Sequence, residues 1–165
     1  MHGYELKRRV QRPTFARLGN SALYPALRRF EDAGAVTKVV EQHDGKPARK
    51  VYTITDSGRT LFRELLSSLP PDLAVNEEEF LVRVSFFSEL TRVERLAILS
   101  TRATVVNAKV AQVAALMAER QPRTEGFDWP HRAIDQFLLR LRLEREWITG
   151  LMKEQEQEED GNDDH

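Results

Sequence analysis

Cysteine is absent from the chain. That excludes a disulfide framework and any thiolate zinc site, and it fits a reducing, intracellular compartment. No apolar run approaches the length of a membrane span, and the opening run MHGYELKRRV lacks the apolar centre of a signal peptide. We therefore expect a cytoplasmic protein with no membrane partner. Histidine is scarce and dispersed: His2, His43, His131 and His165 form no cluster with metal-ligand spacing, and His131 with Asp135 reads as a surface pair one turn apart. A glycine-rich phosphate loop, a nucleophile elbow and a paired-carboxylate site are missing as well. No catalytic residue, metal or cofactor is expected, and the chain reads as a non-enzyme.

What remains is a chain of 165 residues, 41% hydrophobic and 31% charged, the make-up of a soluble globular protein with one core or two small ones. Its net charge of −1 conceals an uneven distribution. Residues 1 to 60 carry 12 basic and 6 acidic side chains, residues 61 to 153 are balanced, and residues 154 to 165 carry 7 acidic and no basic ones. A basic first third followed by a neutral middle and an acidic tail points to a polyanionic partner at one end only.

The hydrophobic pattern divides the chain. HGYELKRRVQ places Tyr4, Leu6 and Val10 within a short helix before Pro13, and PTFARLG reads as a connection. Asn20 or Ser21 then offers an N-cap, Leu23, Leu27 and Phe30 follow at the spacing of a buried helical stripe, and Gly34 stops the helix. VTKVVEQHDGKPARKVYTIT reads as a β-hairpin, two β-branched segments around Asp-Gly and Pro turn chemistry. Thr55 or Asp56 caps a further helix with Leu61, Phe62, Leu65, Leu66 and Leu69 on its inner side, and Pro70 with Pro71 ends it.

Beyond that break the sequence predicts helices only. Asn76 with Glu79 and Thr91 with Glu94 have capping-pair spacing. Leu99, Ala103, Val106, Val110, Val113 and Met117 step by four and three, a seam for packing along another helix. After QPRTEGFD, Asp128 caps a last helix whose stripe runs through Ile134, Phe137, Leu138, Leu141, Ile148 and Leu151, interrupted by Glu144 and Arg145. The two stripes can bury each other in one chain, and they can also supply a subunit interface. The expected domains are residues 1–69 for the hairpin-bearing part, 76–153 for the helical part, and 154–165 as a disordered acidic tail with nothing apolar to bury.

At 100° per residue, Leu23, Leu27 and Phe30 point one way, while Ser21, Pro25 and Arg28 point the other with Tyr24 and Arg29 on the flanks. Pro25 is cheap near a helix start, where backbone N–H groups have no internal partner. A face that is short-chained at its beginning and basic further on suits the DNA major groove, where hydroxyls reach phosphates or base edges and an arginine forks onto guanine. A short helix, this helix, and a hairpin with Lys46, Arg49 and Lys50 near its tip make up a winged helix-turn-helix. The fold class expected is mainly α with a small β-hairpin: an N-terminal winged helix-turn-helix and a C-terminal helical dimerisation domain.

The runs MHGYELKRRV, LYPALRRFEDAGAV and GKPARKVYTITDSGRTLF, in this order and spacing, resemble the winged-helix domain of the PadR family of bacterial transcriptional regulators. The likeness covers residues 1 to about 68, and the helical remainder matches the family's longer C-terminal domain in length and helix content. The resemblance implies a homodimeric, usually repressing DNA-binding protein that reads an inverted-repeat operator in double-stranded DNA, with Tyr24 and Pro25 on the recognition helix and Lys46, Arg49 and Lys50 on a basic wing. It also implies relief by small, often aromatic, molecules. Two positions depart from the family pattern. Ser21 stands where a glycine is usual, and the helix that normally precedes MHGYEL is missing, so the true start is expected upstream of Met1.

Without that helix the stripe Ile134, Phe137, Leu138, Leu141, Ile148 and Leu151 is the largest apolar surface available for a dimer interface, and Trp147 is the candidate contact for a planar effector. The rival reading is a winged helix used as a protein-interaction module without specific DNA binding. The basic wing speaks against it, and steep weakening of duplex binding with salt separates the two.

Overall fold

The structure, a computed structural model, describes residues 20–43, 46–119 and 128–160. The helix predicted over HGYELKRRVQ, the PTFARLG connection, the Asp-Gly of the hairpin turn, most of QPRTEGFD and residues 161–165 lie outside them. Among the described residues the protein is mostly helical with one two-stranded antiparallel sheet, and they divide into two compact units. The first comprises the described parts of residues 1–68 with 77–91, and the second residues 69–76 with the described parts of 92–165.

The first unit opens with α1 (Asn20–Asp32), which buries Leu23 and Leu27. Both expected caps, Asn20 and Ser21, lie inside its first turn. The stripe stops short of its third member, because Phe30 on the last full turn is 42% exposed. Gly34 ends the helix as expected, at φ 69°, a left-handed conformation that glycine adopts without steric cost. Its N–H donates to the Glu31 carbonyl at 2.9 Å and the Ala35 N–H to the Phe30 carbonyl at 2.8 Å, the paired bonds of a Schellman motif.

The chain then enters β1 (Val36–His43) and returns as β2 (Lys46–Ile54), paired from Val36↔Ile54 at the base to His43↔Lys46 beside the turn. β-Branched residues at Val36, Thr37, Val39, Val40, Val51, Thr53 and Ile54 favour this extended pairing. Thr55 caps α2 (Asp56–Leu66): its Oγ1 accepts the Gly58 N–H at 3.0 Å and donates to the Gly34 carbonyl at 2.7 Å. One hydroxyl thus closes the start of α2 and holds the end of α1.

Of the inner side predicted for α2, Leu66 is buried and Leu61 half-buried, while Phe62 and Leu65 stay partly exposed at 38% and 56%. Phe62 meets the edge of Phe86 with ring centroids 5.3 Å apart. Phe86 follows α3 (Glu77–Val84), which starts directly after Asn76 and buries Phe80 completely. Arg83 of α3, only 6% exposed, fastens the end of α2: Nε donates to the Ser68 carbonyl at 2.7 Å and Nη1 to the Glu79 carboxylate at 2.9 Å. A guanidinium on the last carbonyls of a helix complements its dipole.

In the second unit, Leu69 and Ala74 are buried on either side of a turn in which the Leu73 and Ala74 N–H groups donate to the Pro70 carbonyl. α4 (Arg92–Glu119) begins directly after Thr91, and α5 (Trp129–Asp160) directly after Asp128, whose Oδ1 accepts the His131 N–H at 3.2 Å. The two helices pack along each other. Ile98, Leu99, Val106 and Val113 of α4 and Leu138, Leu141 and Ile148 of α5 form the core. Side chains buried this fully contribute about 1.5–3 kcal/mol each.

The acidic end departs from expectation. α5 continues to Asp160, so residues 154 to 160, predicted as disordered, are helical. Glu and Gln are strong helix formers, no Pro or Gly intervenes before Gly161, and extending an existing helix needs no new nucleus. The Gln155 carbonyl also accepts Nε of Arg92 at 2.5 Å, which ties this turn to the start of α4.

Candidate nucleic-acid interface

The site is built on α1 and the hairpin that follows it. With Leu23 and Leu27 turned into the core, Ser21, Tyr24, Pro25, Arg28 and Arg29 are all exposed on the remaining surface of the helix. The structure thus brings the five predicted helix residues together on one accessible face. Pro25 is the sixth residue of α1 rather than part of its first turn, so its missing N–H leaves the Ser21 carbonyl without a helical donor. Ser21 and Pro25 are both exposed, so solvent or a ligand can satisfy that carbonyl.

The wing residues take defined register positions. Lys46 opposes His43 at the turn, Arg49 opposes Glu41, and Lys50 opposes Val40 with its side chain exposed. An irregularity in the pairing between Glu41 and His43 falls beside the turn, where bulges add local twist.

Sequence reasoning missed a contact between the two elements. Lys38 of β1 places Nζ 2.7 Å from Oε1 and 2.7 Å from Oε2 of Glu31, near the end of α1. The hydrogen bond to Glu31 raises the Lys38 ammonium above its ordinary range, aided by the charge of that carboxylate and opposed by Arg28. No local signal marks this pair, because seven residues and a helix stop separate its members.

The residues assigned to a dimer interface are distributed differently. Leu138, Leu141 and Ile148 are buried against α4 within the chain, Ile134 and Leu151 are half-buried, and Phe137 alone is largely open at 45%. That stripe is therefore used mainly inside the helical hairpin. Its interruption by Glu144 also has an intramolecular answer. Glu144 Oε1 receives Nε and Nη2 of Arg102 at 2.7 and 2.6 Å, and Nη1 of the same arginine donates to the Ala74 carbonyl at 2.6 Å. The apolar side chains that α5 leaves open are others: Trp129, Leu139, Leu143 and Trp147.

Among the described residues no helix is long and apolar enough to cross a membrane, and no group of three or more His, Asp and Glu is placed to hold a metal ion.

Comparison with known proteins bears on the same stretch. Residues 1–64 match the family model of the transcriptional regulator PadR-like family. Over 143 residues the chain is 28% identical to the negative transcriptional regulator PadR of Bacillus subtilis (strain 168), covering 81% of this chain and 76% of that protein. Similar solved structures include Bacillus subtilis PadR in complex with operator DNA, at 22% identity and a TM-score of 0.43 over 94% of this chain and 91% of that one. The same protein in complex with p-coumaric acid also matches, at 22% identity and a TM-score of 0.43 over 94% and 88% of the two chains. Residues 1–64, which hold the exposed face of α1 and both strands of the wing, are thus the part of the chain that is similar to the transcriptional regulator PadR-like family.

Proposed function

We propose that this chain is a PadR-like regulator that binds a specific operator in double-stranded DNA as a homodimer, represses transcription there, and is released by a small aromatic effector. Residues 1–69 supply the DNA-binding part and residues 76–153 the helical dimerisation part. The observation that carries the proposal is the exposure of Ser21, Tyr24, Pro25, Arg28 and Arg29 together on α1, opposite buried Leu23 and Leu27. The repressing sense follows the relative in Bacillus subtilis, a negative regulator.

Groove contacts choose sequence and backbone contacts add affinity. Arg28→Ala is therefore expected to cost about 1–3 kcal/mol on a preferred duplex and much less on random duplex. Lys50→Ala should weaken both about equally and shallow the salt dependence by about one phosphate contact. Titrations of the two variants on both duplexes make the check, and equal losses for Arg28→Ala would remove α1 as the reading element.

A two-fold interface is needed to set two recognition helices on successive major-groove turns. With Leu138, Leu141 and Ile148 occupied by α4, the interface we propose is the row Leu139, Leu143 and Trp147, exposed at 51%, 56% and 42% and spaced one helical turn apart. Antiparallel pairing of two α5 helices about Leu143 sets Leu139 beside the partner's Trp147 and Arg132 beside the partner's Glu154. An aromatic at that seam is also the contact proposed for the effector. Leu143→Glu is expected to give a monomer by sedimentation equilibrium, and Arg132→Glu a weakened dimer that Glu154→Arg restores. A dimer that survives Leu143→Glu unchanged places the interface elsewhere.

A further inference from the structure

We propose that Glu31 and Lys38 form a positioning clamp that fixes the wing relative to the recognition helix, and that Lys38 is thereby withheld from DNA. The inference rests on the DNA-binding reading above. It begins with how the hairpin is mounted. At its base, the Thr55 N–H donates to the Ala35 carbonyl at 3.1 Å, and the Thr55 and Ser57 hydroxyls both donate to the Gly34 carbonyl, at 2.7 and 3.1 Å. All of these contacts gather at one corner, where α1 ends, β1 begins and β2 ends. Bonds gathered at one corner do not by themselves stop a two-stranded ribbon from swinging about it, and swing there displaces the tip, where Lys46 opposes His43, by more than it displaces the base.

Lys38 supplies an attachment away from the corner. It is the third residue of β1, paired with Tyr52, and its ammonium takes both oxygens of Glu31, a residue of the last turn of α1. Each side chain keeps about a third of its surface in solvent, 29% and 31%, so the pair is neither buried nor freely solvated. An ion pair of this exposure adds little to stability. What it adds is a second point of fixation between helix and ribbon, and two points define an angle where one does not. The charges around it fit the same role. Arg28, one turn before Glu31, acts on the Lys38 charge unfavourably, so the carboxylate sits where it offsets two cations, one belonging to the proposed reading face and one to the wing. The ordinary reading of a lysine on a DNA-binding wing is a phosphate contact, and the geometry here points away from it.

The test uses the full-length chain, a duplex enriched by selection from a random library, and an unselected duplex as the reference. Lys38→Met is expected to lower affinity for the enriched duplex about fivefold, to change unselected-duplex binding less than about twofold, and to leave the salt slope unchanged. Glu31→Gln should reproduce that loss of selectivity. If Lys38 were a phosphate ligand masked by its neighbour, Glu31→Gln would instead raise affinity on both duplexes, and Lys38→Met would shallow the salt slope by about one contact. Either result overturns the clamp. The exchanged pair, Glu31→Lys with Lys38→Glu, should restore most of the selectivity ratio while the total charge stays constant, and selectivity no better than in the single variants is equally fatal. A wild-type chain that shifts neither duplex at low salt removes the DNA-binding reading itself, an outcome distinct from any of these.

Discussion

Gly58→Ala is expected to destabilise the first unit by about 3 kcal/mol, the upper range for forcing an extra carbon into a packed site. The opposite sign would be anticipated from the sequence, since alanine in a helix is favoured over glycine by about 1 kcal/mol. Position 58 is buried on the first turn of α2, and a β-carbon there would stand 2.0 Å from the Ala35 carbonyl oxygen, 2.8 Å from its carbon and 3.0 Å from Cγ1 of Ile54. The oxygen has little room to retreat. It accepts the Thr55 N–H at 3.1 Å, and Ala35 is itself held by the 2.8 Å bond to Phe30 that closes α1. Relief would have to come from separating α2 from the end of α1, which loosens the element proposed to read DNA. For a unit of this size the thermal midpoint should fall by roughly 15 °C. The three tyrosines, Tyr4, Tyr24 and Tyr52, all precede Pro70 and both tryptophans follow it, so in a background with Trp129→Phe and Trp147→Phe near-ultraviolet dichroism in the tyrosine band reads this unit by itself. An unchanged or raised tyrosine transition would refute the close approach. Gly150→Ala is the internal contrast. No atom lies within 4 Å of the β-carbon built there, so the helical preference for alanine stands unopposed.

The winged part was legible where local chemistry decides structure. Gly34 stops α1, Thr55 caps α2, and segments rich in β-branched residues on either side of Asp-Gly set the two strands. Where distant elements decide, the same reasoning ran out. The stripe arithmetic extends from Leu23 and Leu27 to Phe30, but whether the last turn is covered depends on neighbours that periodicity does not name, and Phe30 is open. Likewise the spacing of Leu138, Leu141 and Ile148 says that a face is apolar without saying what covers it, and α4 covers it in the same chain. Residues 154 to 160 have nothing apolar to bury and yet are ordered, because α5 passes its helix on to them. The Glu31–Lys38 pair joins two elements through side chains whose types are ordinary on any surface, which leaves nothing in the sequence to single it out.

Glu144 shows how an apparent flaw in a pattern can mark an organising contact. A carboxylate between Leu141 and Ile148 interrupts the stripe, and the partner that justifies it, Arg102, sits between Leu99 and Val106 in the seam of α4. Arg102 is 3% exposed and its guanidinium is divided between Glu144 and the Ala74 carbonyl, so one side chain holds α4, α5 and the turn that ends at Ala74. Desolvating such a pair is expensive, and the stability it returns relative to an apolar pair is small or negative. Breaking it is another matter. Arg102→Ala leaves the Glu144 carboxylate and the Ala74 carbonyl inside the hairpin without their donor, and a loss of about 3–5 kcal/mol is expected. Removing both charges with Arg102→Met and Glu144→Leu should recover most of that loss, because the carboxylate and guanidinium leave together and apolar volume replaces them. Both tryptophans lie on α5, so their fluorescence in urea follows this unit, and the two single variants with the double close a thermodynamic cycle. The expected result is a coupling energy of several kcal/mol with a double variant near wild type. If Arg102→Ala costs less than about 1 kcal/mol, the pair behaves as a solvated surface bridge and the packing described for the hairpin is not the packing in solution.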